Sequence, residues 1–272
     1  MSRAELDAAY NNSAHVADSA AKLADWSERS ARLREKHPRL LDLAYGERPR
    51  NRIDIFPCGA TGAPLFVFVH GGYWQRNAKE LFSFLAQGPM AHGFDVALPG
   101  YTLAPDASLS EIVAEIRSAI RWLRNEALRH GVGQGRMIVG GWSAGGHLTA
   151  MTMAMPEVDA GLPISGIFDI EPCRLNYLNE KLKLTPEEAA AMSPLHHLPS
   201  KAAPLCIAYG RAELPELQRQ SRTYFDAWSK AGLPGVILPL ERQNHYSILE
   251  ELAEPDGQLV AALRELHRQT HP

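Results

Sequence analysis

The chain has 272 residues, 45% of them hydrophobic and 22% charged, with a formal net charge of −3. That length suits one α/β domain with a large core. The balance of charge gives no reason to expect nucleic acid or an anionic membrane as partner. Cys58, Cys173 and Cys206 are odd in number and far apart, with neither metal spacing nor a disulfide framework, so a reducing cytoplasm is expected. No apolar run reaches membrane-spanning length, and Met1 to Asp7 lacks the apolar core of a signal peptide. One domain over residues 1–272 is expected, with a helical arm at 1–40 and a cap-like insertion at 169–200.

In chain order, residues 1–40 read as polar helices with Leu23, Trp26, Leu33 and Leu40 as apolar anchors. Asn11 to Ser13 breaks the first helix, and Pro38 ends the later one. The arm is either a helical pair packed on the surface or a lid that brings Tyr10, Asn11 and Asn12 over a site. Arg52 to Phe56 alternates, as a half-exposed strand does. Leu65 to His70 is a continuous apolar run, the mark of a strand covered on both faces. A helix is expected at 79–91, a strand at 94–99 and a helix at 111–130, where Ile112, Ile116, Ala119, Ile120 and Leu123 keep helical period. Met137 to Gly140 is a strand, and Leu148 to Met155 a helix ending at Pro156. Strands follow at 162–168, 204–210 and 235–240, and helices at 186–191, 217–231 and 257–269. Strands alternating with helices predict an α/β fold with a mostly parallel sheet.

Gly141-Trp142-Ser143-Ala144-Gly145 fits the Gly-x-Ser-x-Gly nucleophile elbow, between a strand and a helix as the motif requires. A strained turn lifts the serine hydroxyl above the sheet edge, and side chains at 141 and 145 would strike neighbouring backbone. The following helix would aim its free N–H groups at an anion forming beside Ser143.

A serine hydroxyl needs a base to take its proton, and the base needs an acid to orient it. In this class the chain order is Ser, acid, His. His245 follows the last strand and is the candidate base. Glu213 follows the strand before it and is the candidate acid, with Asp169 and Glu216 as rivals. Glu216 has a second explanation, since an acidic residue suits the first turn of a helix. His70-Gly71-Gly72-Tyr73, after an apolar strand, suits an oxyanion hole built from the N–H groups of Gly72, Tyr73 and Ala144. Gly71, Tyr73 and Trp74 are candidate substrate-binding residues. His196 and His197 lack a carboxylate at ligand spacing and read as surface, and serine hydrolysis of this kind needs neither a metal nor an organic cofactor. His147 reads as a packing or hydrogen-bonding residue.

These residues resemble the arylformamidase, or kynurenine formamidase, group of α/β-hydrolases, related to carboxylesterases of the hormone-sensitive-lipase type. The matching pieces are His70 to Trp74, Tyr101 to Pro105, Gly141 to His147, Ser193-Pro194, Glu213 to Glu216 with Gln220-Ser221, and His245 to Leu249. Tyr45-Gly46 and Asp54-Ile55 extend the likeness over nearly the whole chain. Tyr73 stands where many lipase-type esterases carry a third glycine. Glu213 stands where the family often has Asp, and Asn244 where Asp often precedes the histidine. The resemblance implies an α/β-hydrolase fold and a serine hydrolase of a small amide or ester, an aryl formamide such as N-formylkynurenine first. A carboxylesterase of short acyl or aryl esters is the alternative, and a non-catalytic binding protein on the same fold a distant one. The expected partner is a small-molecule substrate, and a homodimer is left open.

Overall fold

The computed structural model describes residues 1–270; His271 and Pro272, the last two of the expected domain, lie outside the described residues. Eight strands form one sheet: β1 (Leu43–Ala44), β2 (Arg52–Phe56), β3 (Leu65–Val69), β4 (Asp95–Pro99), β5 (Met137–Trp142), β6 (Ala160–Ile164), β7 (Leu205–Gly210) and β8 (Gly235–Leu240). Their order is β1-β2-β4-β3-β5-β6-β7-β8. β1 and β2 run antiparallel to their neighbours, and every pair from β4 to β8 is parallel. The sheet is therefore mostly parallel, as expected.

Side-chain period two splits the strands between two cores. Leu65, Val67 and Val69 of β3 enter one, with Met137 and Val139 of β5. Phe66 and Phe68 enter the other, with Ile138 and Trp142. The N-terminal helices are α1 (Arg3–Ala9), α2 (Asn12–His15) and α3 (Ser19–Lys36); α4 (Gln87–Ala91) precedes β4, and α5 (Leu109–Glu126) and α6 (Ala144–Ala150) flank β5. Between β6 and β7 come α7 (Glu171–Arg174), α8 (Asn179–Leu182) and α9 (Pro186–Ala191); α10 (Pro215–Lys230), α11 (Glu250–Ala253) and α12 (Gln258–Gln269) complete the chain. α5 and α10 cover the first core, through residues such as Ile116 and Trp228. α3 and α12 cover the second, through Trp26 and Leu263.

Four elements depart from expectation. β2 is buried at Ile53, Asp54, Ile55 and Phe56, not half-exposed, because the arm covers it. The Asp54 carboxylate takes Lys79 Nζ at 2.8 Å and the Asp42 amide at 2.8 Å, and pairs with Arg34 of α3. The helix expected at 79–91 begins as a 3₁₀ segment, Lys79–Ala86, before α4. Ser30 of α3 fixes it, donating to the Leu81 carbonyl at 2.9 Å and accepting the Phe84 amide at 3.0 Å. α6 stops at Ala150, short of Pro156; the Arg117 guanidinium takes the Met151 carbonyl at 2.8 Å. β6 ends at Ile164 because Ser165 turns left-handed, with φ +51°. Ile167 and Phe168 stay buried without being strand, and Phe168 stacks on Tyr224 at 4.3 Å.

Candidate active site

Ser143 sits between β5 and α6 with φ +59° and ψ −117°. A non-glycine residue there is strained and persists only where its surroundings over-determine it. The two motif glycines supply that room. A Cβ on Gly145 would stand 1.9 Å from the Val69 carbonyl oxygen, and one on Gly141 would stand 2.4 Å from that of Gly145. Both are contacts with backbone, which cannot swing away as a flexible side-chain tip can.

Ser143 and His245 line one small cavity, together with Asn12, Ser13, Leu23, Gly72, Tyr73, Arg76, Asn77, Trp142 and Tyr246. His245 arrives on the loop after β8, and Glu213 on the loop after β7. Glu213 Oε2 lies 3.6 Å from His245 Nδ1, and both groups are buried. The other carboxylate oxygen is held separately: Oε1 accepts the Gly210 amide at 2.9 Å and the Ser165 hydroxyl. One oxygen is thus anchored while the other is left to face the imidazole. Neither Oε2 nor Nδ1 has a hydrogen-bond partner among the described residues, so each is the natural partner of the other.

The two rival acids are engaged elsewhere. Asp169 accepts the Glu171 amide at 3.2 Å at the start of α7. Glu216, in the first turn of α10, takes the Tyr10 hydroxyl at 2.8 Å and a bidentate pair from Arg219 at 2.7 and 2.8 Å.

The loop after β3 turns left-handed at three successive residues, with φ +120° at Gly72, +51° at Tyr73 and +58° at Trp74. A Cβ on Gly72 would meet the Arg76 carbonyl at 2.3 Å. The amides of Gly72, Tyr73 and Ala144 donate to nothing among the described residues. His70 lies under this loop, stacked on Tyr101 at 4.3 Å, with Nδ1–H donating to the Gly71 carbonyl at 2.9 Å. Burial lowers its pKa to about 4, so it is neutral.

The substrate-binding expectation needs correction at two residues. Trp74 and Gly71 do not line the cavity. The Trp74 ring is wholly buried, packed edge-on against His147 at 5.0 Å, with its N–H donating to His147 Nδ1 at 3.2 Å. Gly71 is pressed against Trp142 and Ser143. Tyr73 does line the cavity. His147 also donates to the Met192 carbonyl at 2.8 Å, so it ties α6 to the segment after α9. His196 and His197 are exposed, and no cluster of potential metal ligands occurs among the described residues.

Several lining residues escaped sequence reasoning. Arg76 belongs to no motif, and the pieces that hold Trp142, Tyr246 and Leu23 do not aim those side chains at a site; only the fold brings the arm and three loops to one place. Trp142 alone had a signal, a large aromatic at a variable position of the elbow.

Relatives of known type share this framework. A kynurenine formamidase of Danio rerio is 30% identical over 239 residues, spanning 82% of this chain and 80% of that one. That of Salmo salar is 31% identical over 241 residues, with the same coverage. The chain belongs to the kynurenine formamidase family. A family model described as BD-FAE matches residues 53–163. A candidate thioesterase from Silicibacter sp. tm1040 superposes with a TM-score of 0.86 at 33% identity, over 96% of this chain and 99% of that one. An esterase of Thermogutta terrifontis, at 22% identity and a TM-score of 0.65 over 84% of this chain and 93% of that one, shares the fold. The fold is that of an α/β-hydrolase, and the protein is a hydrolase of formamide or ester substrates. No helix among the described residues is long and apolar enough to cross a membrane.

Proposed function

We propose that this kynurenine formamidase relative hydrolyses an aryl formamide carrying a carboxylate, of which N-formylkynurenine is the type. The observation that carries the reading is the cavity. It is tight, about 50 Å³, and beside Ser143 and His245 its walls include the aromatic rings of Tyr73, Trp142 and Tyr246. A one-carbon acyl group suits so small a space, and an aryl leaving group suits aromatic walls. The Arg76 guanidinium, exposed at its rim and 5.9 Å from the centroid of the Tyr73 ring, has no hydrogen-bond or ion-pair partner among the described residues. A guanidinium there that no carboxylate neutralises suits an anionic group on the substrate.

In this reading His245 takes the Ser143 proton while Oγ attacks the formyl carbon. Glu213 holds the imidazole with Nδ1–H toward itself and stabilises the imidazolium that forms. The amides of Gly72, Tyr73 and Ala144 receive the charge on the formyl oxygen. His245 returns its proton to the departing arylamine. Water, deprotonated by His245, then splits the formyl-serine ester, giving formate and free Ser143. In this reading the arm at 1–40 lines the site through Asn12, Ser13 and Leu23, and the insertion at 169–200 belongs to the same domain. A reducing cytoplasm suits the free thiols of Cys58, Cys173 and Cys206.

The test is kcat/KM for N-formylkynurenine against 4-nitrophenyl acetate. The formamide should be the better substrate. A strong preference for the ester would move the reading to a short-chain carboxylesterase, which the same residues serve.

A further inference from the structure

The arm makes polar contacts far more specific than surface packing requires. Tyr10 donates to Glu216 Oε1 at 2.8 Å, and its hydroxyl accepts Gln220 Nε2 at 2.9 Å. Asn12 Nδ2 donates to the Tyr73 hydroxyl at 2.8 Å, and that hydroxyl donates onward to the Tyr10 carbonyl at 2.6 Å. The Ser13 and Tyr246 hydroxyls lie 3.1 Å apart, and His15 Nε2 lies 3.4 Å from the Ala212 carbonyl. Residues 10–15 therefore reach three loops, those bearing Tyr73, Glu213 and His245.

The contact with Tyr73 is the most constrained. Tyr73 lies in a left-handed stretch, where an L side chain is strained unless something holds it. Its ring is buried, 3% exposed, so what holds it is the packing around the ring and the two bonds at its hydroxyl. The direction of both bonds is forced. The Tyr10 carbonyl can only accept, so the hydroxyl proton goes there. The Tyr73 oxygen must then accept, and Asn12 must present its N–H₂. Asn12 is itself 4% exposed and lines the cavity.

We propose that Asn12 is a positioning residue of the active site, acting through the Tyr73 hydroxyl to keep the Gly72–Tyr73 backbone in the conformation that leaves its amides free. This rests on the serine-hydrolase reading above. The arm then serves as a fixed strut of the site.

The experiment compares wild type, Asn12→Ala, Tyr73→Phe and the double variant. Fluorophosphonate labelling rate, kcat and KM for 4-nitrophenyl acetate, and thermal unfolding are read for each. Asn12→Ala should lower kcat and labelling rate by at least about 10-fold, short of the ~10²-fold or more seen on deleting an oxyanion donor outright. KM should hold. The double variant should lose no more than Tyr73→Phe alone, because that change already removes the hydroxyl through which Asn12 acts. Additive losses, or Asn12→Ala at wild-type kcat, would overturn the proposal while leaving the serine reading in place. A wild type that the probe does not label would overturn both. Should Asn12→Ala not fold, Tyr73→Phe decides alone: wild-type kcat in that variant removes the hydroxyl, and Asn12 with it, from the site.

Discussion

The indole N–H of Trp142 donates to the carbonyl oxygen of His245 at 2.7 Å, and the two rings lie 4.8 Å apart. The residue before the proposed nucleophile thus grips the proposed base by its main chain and its ring. Trp142→Phe would keep an aromatic face and lose the donor. A buried carbonyl left unpaired costs about 1–3 kcal/mol, and the imidazole loses its fixed height over Ser143. Expected are a fall in kcat of about 10-fold, on the scale of ~1.4 kcal/mol per decade, and a lower melting temperature. Steady-state kinetics and a melting curve check both.

Ser143→Ala should reduce kcat by about 10⁶-fold, as in other serine triads, with circular dichroism unchanged. Retention of more than about a tenth of wild-type activity, against that expectation, would remove Ser143 from the role proposed for it.

Glu213→Gln would turn a pure acceptor into a group that can donate, which favours the wrong imidazole tautomer. A fall in kcat of up to ~10⁴-fold is expected. Asp169→Asn and Glu216→Gln should cost far less, since Asp169 serves the start of α7 and Glu216 serves Tyr10 and Arg219. Ser165→Ala should fall between them, because Gly210 still holds Oε1. If Asp169→Asn proves the crippled variant, the acid has been misassigned.

Arg76→Gln tests the rim. It should lower kcat/KM for N-formylkynurenine about 10-fold, the worth of one charge-assisted hydrogen bond at a partly wet site. An uncharged aryl formamide such as formanilide should be untouched. Equal losses on both substrates would show that Arg76 does not read the carboxylate.

Acid should unfold the protein partly through His70 and His147. Burial lowers both pKa values from 6.5 to about 4. Above pH 6.5 both forms of the chain carry them neutral. Between 6.5 and about 4 the unfolded chain takes protons that the folded one refuses, so stability falls with pH. The loss is at most about 1.4 kcal/mol per unit for each histidine. His147→Gln keeps hydrogen-bonding capacity without titrating in this range. Its melting temperature should drop less steeply between pH 7 and 5 than that of wild type; an unchanged slope would remove His147 from the acid response.

The fold was legible because its strands are runs that only a doubly covered sheet needs, such as Leu65 to Val69 and Leu205 to Gly210. Their ends were less so: Ser165 leaves the sheet for reasons that lie in α10 and the Glu213 carboxylate. Ser143 and His245, found by motif and by place in the chain order, both line the cavity. Trp74 misled because aromatic residues beside a site and beneath it look alike in sequence; its indole found His147 instead. Asn12 and Arg76 could not have been assigned partners. Asn12 meets Tyr73 across 61 residues, and an arginine without a carboxylate partner is recognised only once its neighbours are known.

The arm's partners also set when the site can exist. Trp26 bonds to Glu250 across 224 residues, Ser13 meets Tyr246 across 233, and Tyr10 meets Glu216 across 206. During synthesis the arm leaves the ribosome long before any of them. Its final contacts must wait for the last strand and the loop beyond it. Pairings so distant in sequence close slowly, because chain entropy opposes them until late. A chain halted before residue 245 would hold Ser143 and most of the sheet, yet lack both the proposed base and the arm's contacts with Tyr246 and Glu250. Hydrolytic competence should therefore appear only once residue 245 and the loop beyond it have been made, and chains halted earlier should not turn over substrate.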